Sequence, residues 1–280
     1  MRVFVSADME GITGIAAAED CVRGEPEYER GTELMHGDVN AAVEGAAAAG
    51  ADEILVNDSH SSMRNLDRAR LDDRATLLRG NTKPRSMMQG LTADHDVALF
   101  VGYHAKAGTE AAVLNHTFLG SALLRLRASG SEVGELGWNA RLAASLGVPV
   151  GLVTGDDATV REAADELPGP ESVAVKTAVD RFSAQLRPAS ETTAEIRAAA
   201  ERAVSRAADG DASLRDVSEP TTIAADWVTT NVAARAAGAP GAEREGARTT
   251  AVSADRYEDA FEATVAMLRA GGAGRDEFYG

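Results

Sequence analysis

The stretch VFVSADMEGITG, Val3 to Gly14, decides how the chain reads. Val3, Phe4 and Val5 form the short apolar run of a buried strand. Two carboxylates, Asp8 and Glu10, follow two residues apart, directly before Gly11. In an extended segment residues i and i+2 face the same side, so both acids aim at one place. Gly11 lets the backbone turn away behind them. An acid pair at a strand end is commonly a turn or capping device; what converges on it from elsewhere determines whether it is more.

Outward from that strand, apolar runs alternate with helical patterns. YERGTELMHGDVNAAVEGAAAAG (28–50) predicts a helix closing at Gly50, and DEILVND (52–58) a second strand, again acidic at its end. ATLLRG (75–80) predicts a short strand, DVALFVGYH (96–104) a buried strand ending on a histidine, and ALLRLRASG (122–130) a half-exposed strand. GELGWNARLAASLG (134–147) and DATVREAADEL (157–167) read as helices flanking the buried strand VPVGLVTGD (148–156), with Asp156 or Asp157 capping the second. This alternation implies an α/β fold, a mostly parallel sheet with helices on both faces. Past residue 170 the texture changes. ESVAVKTAVDRFSAQLRP (171–188) reads as a strand and an extended segment, and SETTAEIRAAAERAVSRAADG (190–210) as a helix capped by Ser190 and ended by Gly210. TTIAADWV (221–228), TTAVSA (249–254) and RYEDAFEATVAMLRA (256–270) read as strand, strand and helix. The expected organisation is an α/β metal-binding core over 1–170, a smaller C-terminal α+β part over 171–270 packed on it, and a mobile tail over 271–280.

With 280 residues and 44% hydrophobic content the chain buries a real core, yet aromatics are only 4%. Such a core relies on close backbone approach more than on large side chains. A net charge of −16 makes nucleic acid and anionic membrane poor partners, and no Lys/Arg cluster forms a phosphate-binding patch. Lys occurs only at Lys83, Lys106 and Lys176. An acid excess with so little Lys suits a high-salt cytoplasm and equally a GC-rich genome. One cysteine, Cys21, excludes an internal disulfide and a Cys-rich zinc site, and reads as a reduced intracellular thiol. The opening residues read as a strand with no signal-peptide pattern, and no stretch approaches the ~20 apolar residues of a membrane helix. The expected location is cytoplasmic.

In a parallel α/β sheet, ligands bind beyond the carboxyl ends of the strands. The first strand delivers Asp8 and Glu10 there, the second Asp58 and His60, and ALFVGYH delivers His104. LNHT adds His116, and the start of the GELGWNA helix adds Glu135. Each alone has an ordinary reading, a lone histidine being most often a satisfied structural one. Together they form a set of oxygen and imidazole donors with no usable thiolate, which favours zinc or another borderline divalent ion, with Mn2+ or Co2+ as alternatives. So many donors exceed the needs of one tetrahedral ion and suit two ions bridged by a carboxylate. His36 and His95 read as structural or solvated. Asp58 reads equally as a partner orienting a ligand histidine or as a turn acid. Lys106 reads as solvated, and Asn115 as a loop residue. GITG lacks the Lys and the spacing of a phosphate loop, and two acids beside it would repel phosphate.

SADMEG (6–11) matches the S-x-D-x-E-G signature of the D-aminopeptidase family of binuclear zinc peptidases, the DppA type. NDSH, GYHA, His116 with Thr117, GELGWNA, VPVGLVTGD and VKTAVDRFSAQLRP resemble that family's blocks in the same order. The resemblance covers most of the chain and is weakest from about residue 190. It implies that Asp8 bridges two zinc ions, that Glu10, His60, His104 and Glu135 complete their coordination, and that His116 is the catalytic residue beside them. It further implies release of N-terminal D-amino acids, D-alanine especially, from short peptides, and a homo-oligomer of stacked rings, a decamer. Ser129 stands where the family usually has Asn before the Gly, in a turn near Glu135. Two other readings share the ligand set. One is an amidohydrolase of the same fold acting on another small amide or lactam. The other is a non-catalytic metal-bound assembly, which would not need an unliganded histidine beside the metals.

Overall fold

The computed structural model describes residues 1–217 and 219–274. In chain order the elements are β1 (Arg2–Ala7), α1 (Tyr28–Ala48), β2 (Glu53–Asp58), β3 (Ala75–Leu78), β4 (Val97–Val101), β5 (Leu123–Ala128), β6 (Ser131–Val133), α2 (Glu135–Ser145), β7 (Val150–Asp156), α3 (Asp157–Glu166), β8 (Glu171–Asp180), β9 (Ser183–Leu186), α4 (Ala189–Ala208), β10 (Thr221–Trp227), α5 (Thr230–Ala236), β11 (Ala242–Arg244), β12 (Thr249–Ala254) and α6 (Tyr257–Gly272).

The first sheet runs β3-β2-β1-β4-β7-β8-β9, parallel throughout except for β9 at one edge. Strand order reverses between β1 and β4, which makes the crevice beyond their carboxyl ends the natural ligand position. Side chains of β1 alternate between two cores. Val3, Val5 and Ala7 pack under α1 and α4, while Phe4 packs on the opposite face with α2 and the second sheet. The α1–α4 contact shows how a core poor in aromatics closes. A Cβ on Gly45 of α1 would lie 2.1 Å from the Arg197 carbonyl of α4, so only glycine permits that crossing. Ala42, Ala46, Ala199, Ala200 and Ala203 fill the rest of the seam.

The second sheet, β11-β12-β10-β5-β6, is antiparallel and carries α5 and α6. It docks on the first through Trp138 of α2, stacked on Phe261 of α6 at 3.6 Å between ring centroids. Ser129 and Gly130 form the two-residue turn of its β5–β6 hairpin with φ of +49° and +84°. Such a turn needs two positive-φ residues, which is why Ser in place of Asn there carries a strain cost.

Three expectations change. β8 and β9 lie beyond residue 170 yet extend the first sheet, whereas β5 and β6 lie before it and belong to the second, because the β5–β6 hairpin pairs with β10. A boundary at 170 therefore runs through both sheets. Ser190 lies inside α4; Pro188 is the N-cap and no side-chain cap bond forms. Proline's fixed φ and missing N–H suit it to a helix start without one. Of the expected tail, Gly271 and Gly272 still belong to α6, and 275–280 lie outside the described residues. The expected caps hold elsewhere: the Asp156 side chain accepts from the Thr159 amide to start α3. Among the described residues, no helix is long and apolar enough to cross a membrane.

Asp38 of α1 ties that helix to the loop after β1. Its Oδ2 accepts from the Thr13 amide at 2.8 Å, and its Oδ1 has no partner among the described residues. Burial pushes its carboxyl from 3.8 up to about 6. A carboxyl that protonates more readily folded than unfolded contributes stability below pH 3.8 that is lost as pH rises through 6. Asp38→Asn keeps an acceptor for Thr13 and removes the charge. Relative to the parent, the variant is expected to gain stability from pH 4 to pH 7, by about 3 kcal/mol at most for a shift of roughly two pK units. Denaturant unfolding at both pH values measures the gap, and a gap that moves the other way contradicts the assignment.

Candidate metal centre

Three adjacent strands end at one place. β1 delivers Asp8 and, one turn later, Glu10; β2 delivers His60; β4 delivers His104. Glu135 is the first residue of α2, and His116 sits on the loop between β4 and β5. The structure brings all six candidate residues together, Asp8, Glu10, His60, His104 and Glu135 buried and His116 half-buried.

Among the described residues, donor atoms fall into three triads, each with atoms within 4.8 Å of one another. Asp8, Glu10 and His60 form one, and Asp8, His104 and Glu135 a second, both fully buried and sharing Asp8; Glu10, His104 and half-buried His116 form the third. His60 Nδ1 lies 3.0 Å from Glu10 Oε2 and 3.4 Å from Asp8 Oδ1. His104 Nε2 lies 3.4 Å from Glu135 Oε1 and 3.6 Å from Asp8 Oδ2. His116 Nε2 is 3.8 Å from both Glu10 Oε1 and Glu135 Oε1, and its ring stacks on that of His104 at 4.1 Å.

Each imidazole spends its other nitrogen on a main-chain carbonyl. His60 Nε2–H donates to Cys21 at 3.1 Å, His104 Nδ1–H to Ala105 at 3.0 Å, and His116 Nδ1–H to Leu114 at 2.8 Å. A carbonyl only accepts, so that nitrogen keeps its proton and the other is turned toward the acids, where a cation would take the place of a proton, as metal-binding histidines require. Asp8 Oδ2 and His104 Nε2 are buried without a hydrogen-bond partner among the described residues. Three buried acids facing one another need positive charge to be tolerable. Oxygen and imidazole donors, orphaned atoms and excess negative charge together fit divalent cations of the zinc type.

The proton affinities report the same crowding. Burial, then the Glu10 charge, pushes the Asp8 carboxyl up to about 7. For Glu10 burial works upward too, but the His60 charge and hydrogen bond outweigh it and hold the group well below the usual range. His60 and His104 lose to burial and regain more from the facing acids, so both lie well above an ordinary imidazole. His116 goes the other way, lowered by burial and by the charge of His104.

The supporting backbone is tight. Gly11 donates its amide to the Gly102 carbonyl at 2.9 Å, and a Cβ there would meet the Tyr103 carbonyl at 1.8 Å. Only glycine lets the acid-bearing turn lie this close to the β4 loop. Around His116, Ala111, Leu114 and Phe118 hold positive φ of 47–53°, strain of order 1 kcal/mol each that surrounding bonds must hold. Asp156 Oδ2 accepts from the Val113 amide, and the Arg181 carbonyl accepts from Leu114. The β8–β9 turn thus steers the loop that aims His116.

Asp58 is a turn acid: its carboxylate takes the Asn65 and Leu66 amides at 2.6 and 2.7 Å and closes the loop carrying His60. His36 donates to the Thr32 carbonyl within α1 and accepts from the Asp67 amide between β2 and β3, and His95 bonds locally to Thr92. Asn115 Nδ2 donates to Ala112. Sequence reasoning passed over the two buried lysines. Lys176 Nζ donates to the carbonyls of Glu10, Ile12 and Ile15 at 2.6, 2.9 and 2.8 Å. Lys83 Nζ donates to Asn57 Oδ1 at 2.6 Å and the Asp58 carbonyl at 2.7 Å. Burial lowers both ammonium groups to about 8. The available signal was a lysine inside the apolar run VAVKTAV of a chain with three lysines.

The site lies in a cleft of about 1010 Å³, lined also by Arg23, Arg181, Arg269, Phe182 and Leu119. Its lining thus combines buried carboxylates with exposed guanidinium groups of opposite charge.

A model of the D-aminopeptidase family matches residues 1–266. A D-aminopeptidase of Bacillus subtilis (strain 168) is 39% identical over 181 residues, which span 65% of this chain and 65% of that relative. The solved structure of the Zn-dependent D-aminopeptidase DppA from Bacillus subtilis, a self-compartmentalizing protease, superposes with a TM-score of 0.92 at 30% identity, covering 98% of this chain and 99% of that one. With the family model running through every residue of the strand-end cluster, this chain belongs to the D-aminopeptidase family.

Proposed function

We propose that this chain is a zinc aminopeptidase that releases N-terminal D-amino acids, of the D-alanine type, from short peptides, using two zinc ions per subunit. The observation that carries the reading is the pair of donor triads sharing Asp8, each imidazole anchored through its second nitrogen. Asp8 would bridge the ions, Glu10 and His60 would hold one, and His104 and Glu135 the other. When bound, the ions lower the pKa of water in the site and polarise a scissile carbonyl. The protein's own groups do the rest. The guanidinium groups among the cleft's lining residues suit the carboxylate of a short peptide. His116, its Nδ1–H held by Leu114, presents Nε2 as a base and, once protonated there, as the acid for the leaving amine.

The self-compartmentalizing neighbour supports assembly of this chain with copies of itself, a ring-shaped decamer by family resemblance. Exposed apolar residues on the β8–β9 hairpin, Val179 at 65% and Phe182 at 60%, are consistent with a covered face. A cytoplasmic location completes the proposal.

The test is chelation and selectivity. Purified protein is expected to hold about two zinc ions per chain and to hydrolyse D-Ala-D-Ala far faster than L-Ala-L-Ala. Chelator should abolish turnover and zinc restore it. Two ions without cleavage of either dipeptide would shift the reading to another small amide, which the same ligand set serves equally. Turnover that survives complete metal removal would sink both.

A further inference from the structure

We propose that Lys176 is a positioning residue for the metal centre: its ammonium holds the Glu10–Ile15 turn from beneath and sets where the Glu10 carboxylate meets His60 and Asp8. The inference rests on the zinc reading above. Its geometry is independent of that reading. An ammonium has three donors and no acceptor. Lys176 spends all three on the Glu10, Ile12 and Ile15 carbonyls, which converge on one fully buried point. Among the described residues, no carboxylate comes within ion-pairing distance of it. A buried ammonium held by carbonyls alone is an expensive way to stabilise a turn. Methionine would leave three carbonyls orphaned, and the planar fork of arginine cannot meet three converging acceptors in the same volume.

The strand that carries Lys176 is shaped for this. β8 pairs with β7 in register from Glu171 to Ala174, and then a bulge makes Asp156 oppose Lys176 instead of Val175. Beside it, Val175 and Lys176 are consecutive and both fully buried, with α3 and α4 packed on this strand. Bulges re-aim side chains next to active sites. From above, the same turn is tied to the β4 loop by Gly11 N to Gly102 O, so the Lys176 ammonium closes its remaining open side.

The experiment measures zinc affinity by competition with a chromophoric chelator, on full-length parent, Lys176→Met and Lys176→Arg, with circular dichroism in zinc-free buffer to establish folding. Loss of a group that orients a ligand typically weakens metal binding 10–100-fold. Lys176→Met is expected to stay folded and to bind one of two ions at least ~10-fold more weakly, the other within about twofold. Lys176→Arg, which keeps the charge, is expected to fold and to show a smaller loss of the same ion. Parent-like affinity for both ions in a folded Lys176→Met overturns the proposal. If Lys176→Met does not fold, Lys176→Arg decides, and parent-like affinity there overturns it. Collapse of both variants assigns Lys176 to the stability of the fold and overturns it as well. A parent protein that binds no zinc fails the underlying reading, and is distinguishable because the loss then precedes any substitution.

Discussion

Asp8→Asn is expected to empty the site and stop hydrolysis while leaving the chain folded. Asp8 is common to the two fully buried donor triads, so its loss breaks both sets at once. Asparagine has nearly the same shape, and its carbonyl oxygen can still accept from the Met9 amide, the bond that Asp8 Oδ1 now makes at 2.9 Å. Its NH₂ group, however, would face a cation. Metal-assisted hydrolysis draws several kcal/mol of charge stabilisation from its ions, so kcat/KM should fall at least ~10³-fold. Zinc measured by elemental analysis should drop from about two per chain toward zero. A second, opposite effect separates metal loss from misfolding. Without metal, the acids at 8, 10 and 135 repel one another, and burial with the Glu10 charge already raises the Asp8 carboxyl to about 7. Zinc-free Asp8→Asn should therefore melt above zinc-free parent, although the parent with zinc melts above both through mass action. Full metal content and activity in Asp8→Asn would remove the bridging carboxylate from the account.

His116→Gln is expected to separate chemistry from metal binding. His116 Nε2 stands 3.8 Å from one carboxylate of each triad, farther than His60 or His104 stand from their nearest acids, and it is the most exposed of the three rings. Zinc content should remain at the parent value. The rate should not: a positioned acid–base group contributes typically 10²–10⁴-fold, and kcat should fall by about that factor with KM little changed. The pH profile gives a readout that a structural histidine would not move. In the parent, Nε2 must be unprotonated to act as a base, so activity falls on the acid side as the imidazole takes a proton. In His116→Gln that limb should disappear from the residual rate. Unchanged turnover with unchanged zinc would favour a metal-bound assembly with no use for this side chain.

How much of this was legible beforehand follows from the range of each interaction. Strand and helix positions depend on local periodicity, and β1, α1, β2, β4 and β7 fall within a few residues of where the apolar patterns put them. The acids and histidines of the site were legible for the same reason, since a parallel sheet sends every strand's carboxyl end to one edge. Asp58 was ambiguous because it sits two residues before His60, and only the fold of residues 59–66 brings the Asn65 and Leu66 amides onto it. The β5–β6 hairpin could not be assigned to the second sheet from its sequence, because β10, which pairs with β5 from Ile223↔Ala128 to Trp227↔Leu123, lies far along the chain.

By itself, then, the sequence determined most of the elements, their reading as a mostly parallel sheet, and the acids and histidines that are candidates for the site, since these rest on residue type and short-range pattern. The tertiary structure alone decided which nitrogen of each imidazole faces inward, because that depends on the carbonyls of Cys21, Ala105 and Leu114, contributed by separate loops. It also decided the burial of Lys176, which sits beside a one-residue bulge in the pairing of β8 with β7. A shift of one residue in register reverses the face of a side chain without changing a letter of its own strand.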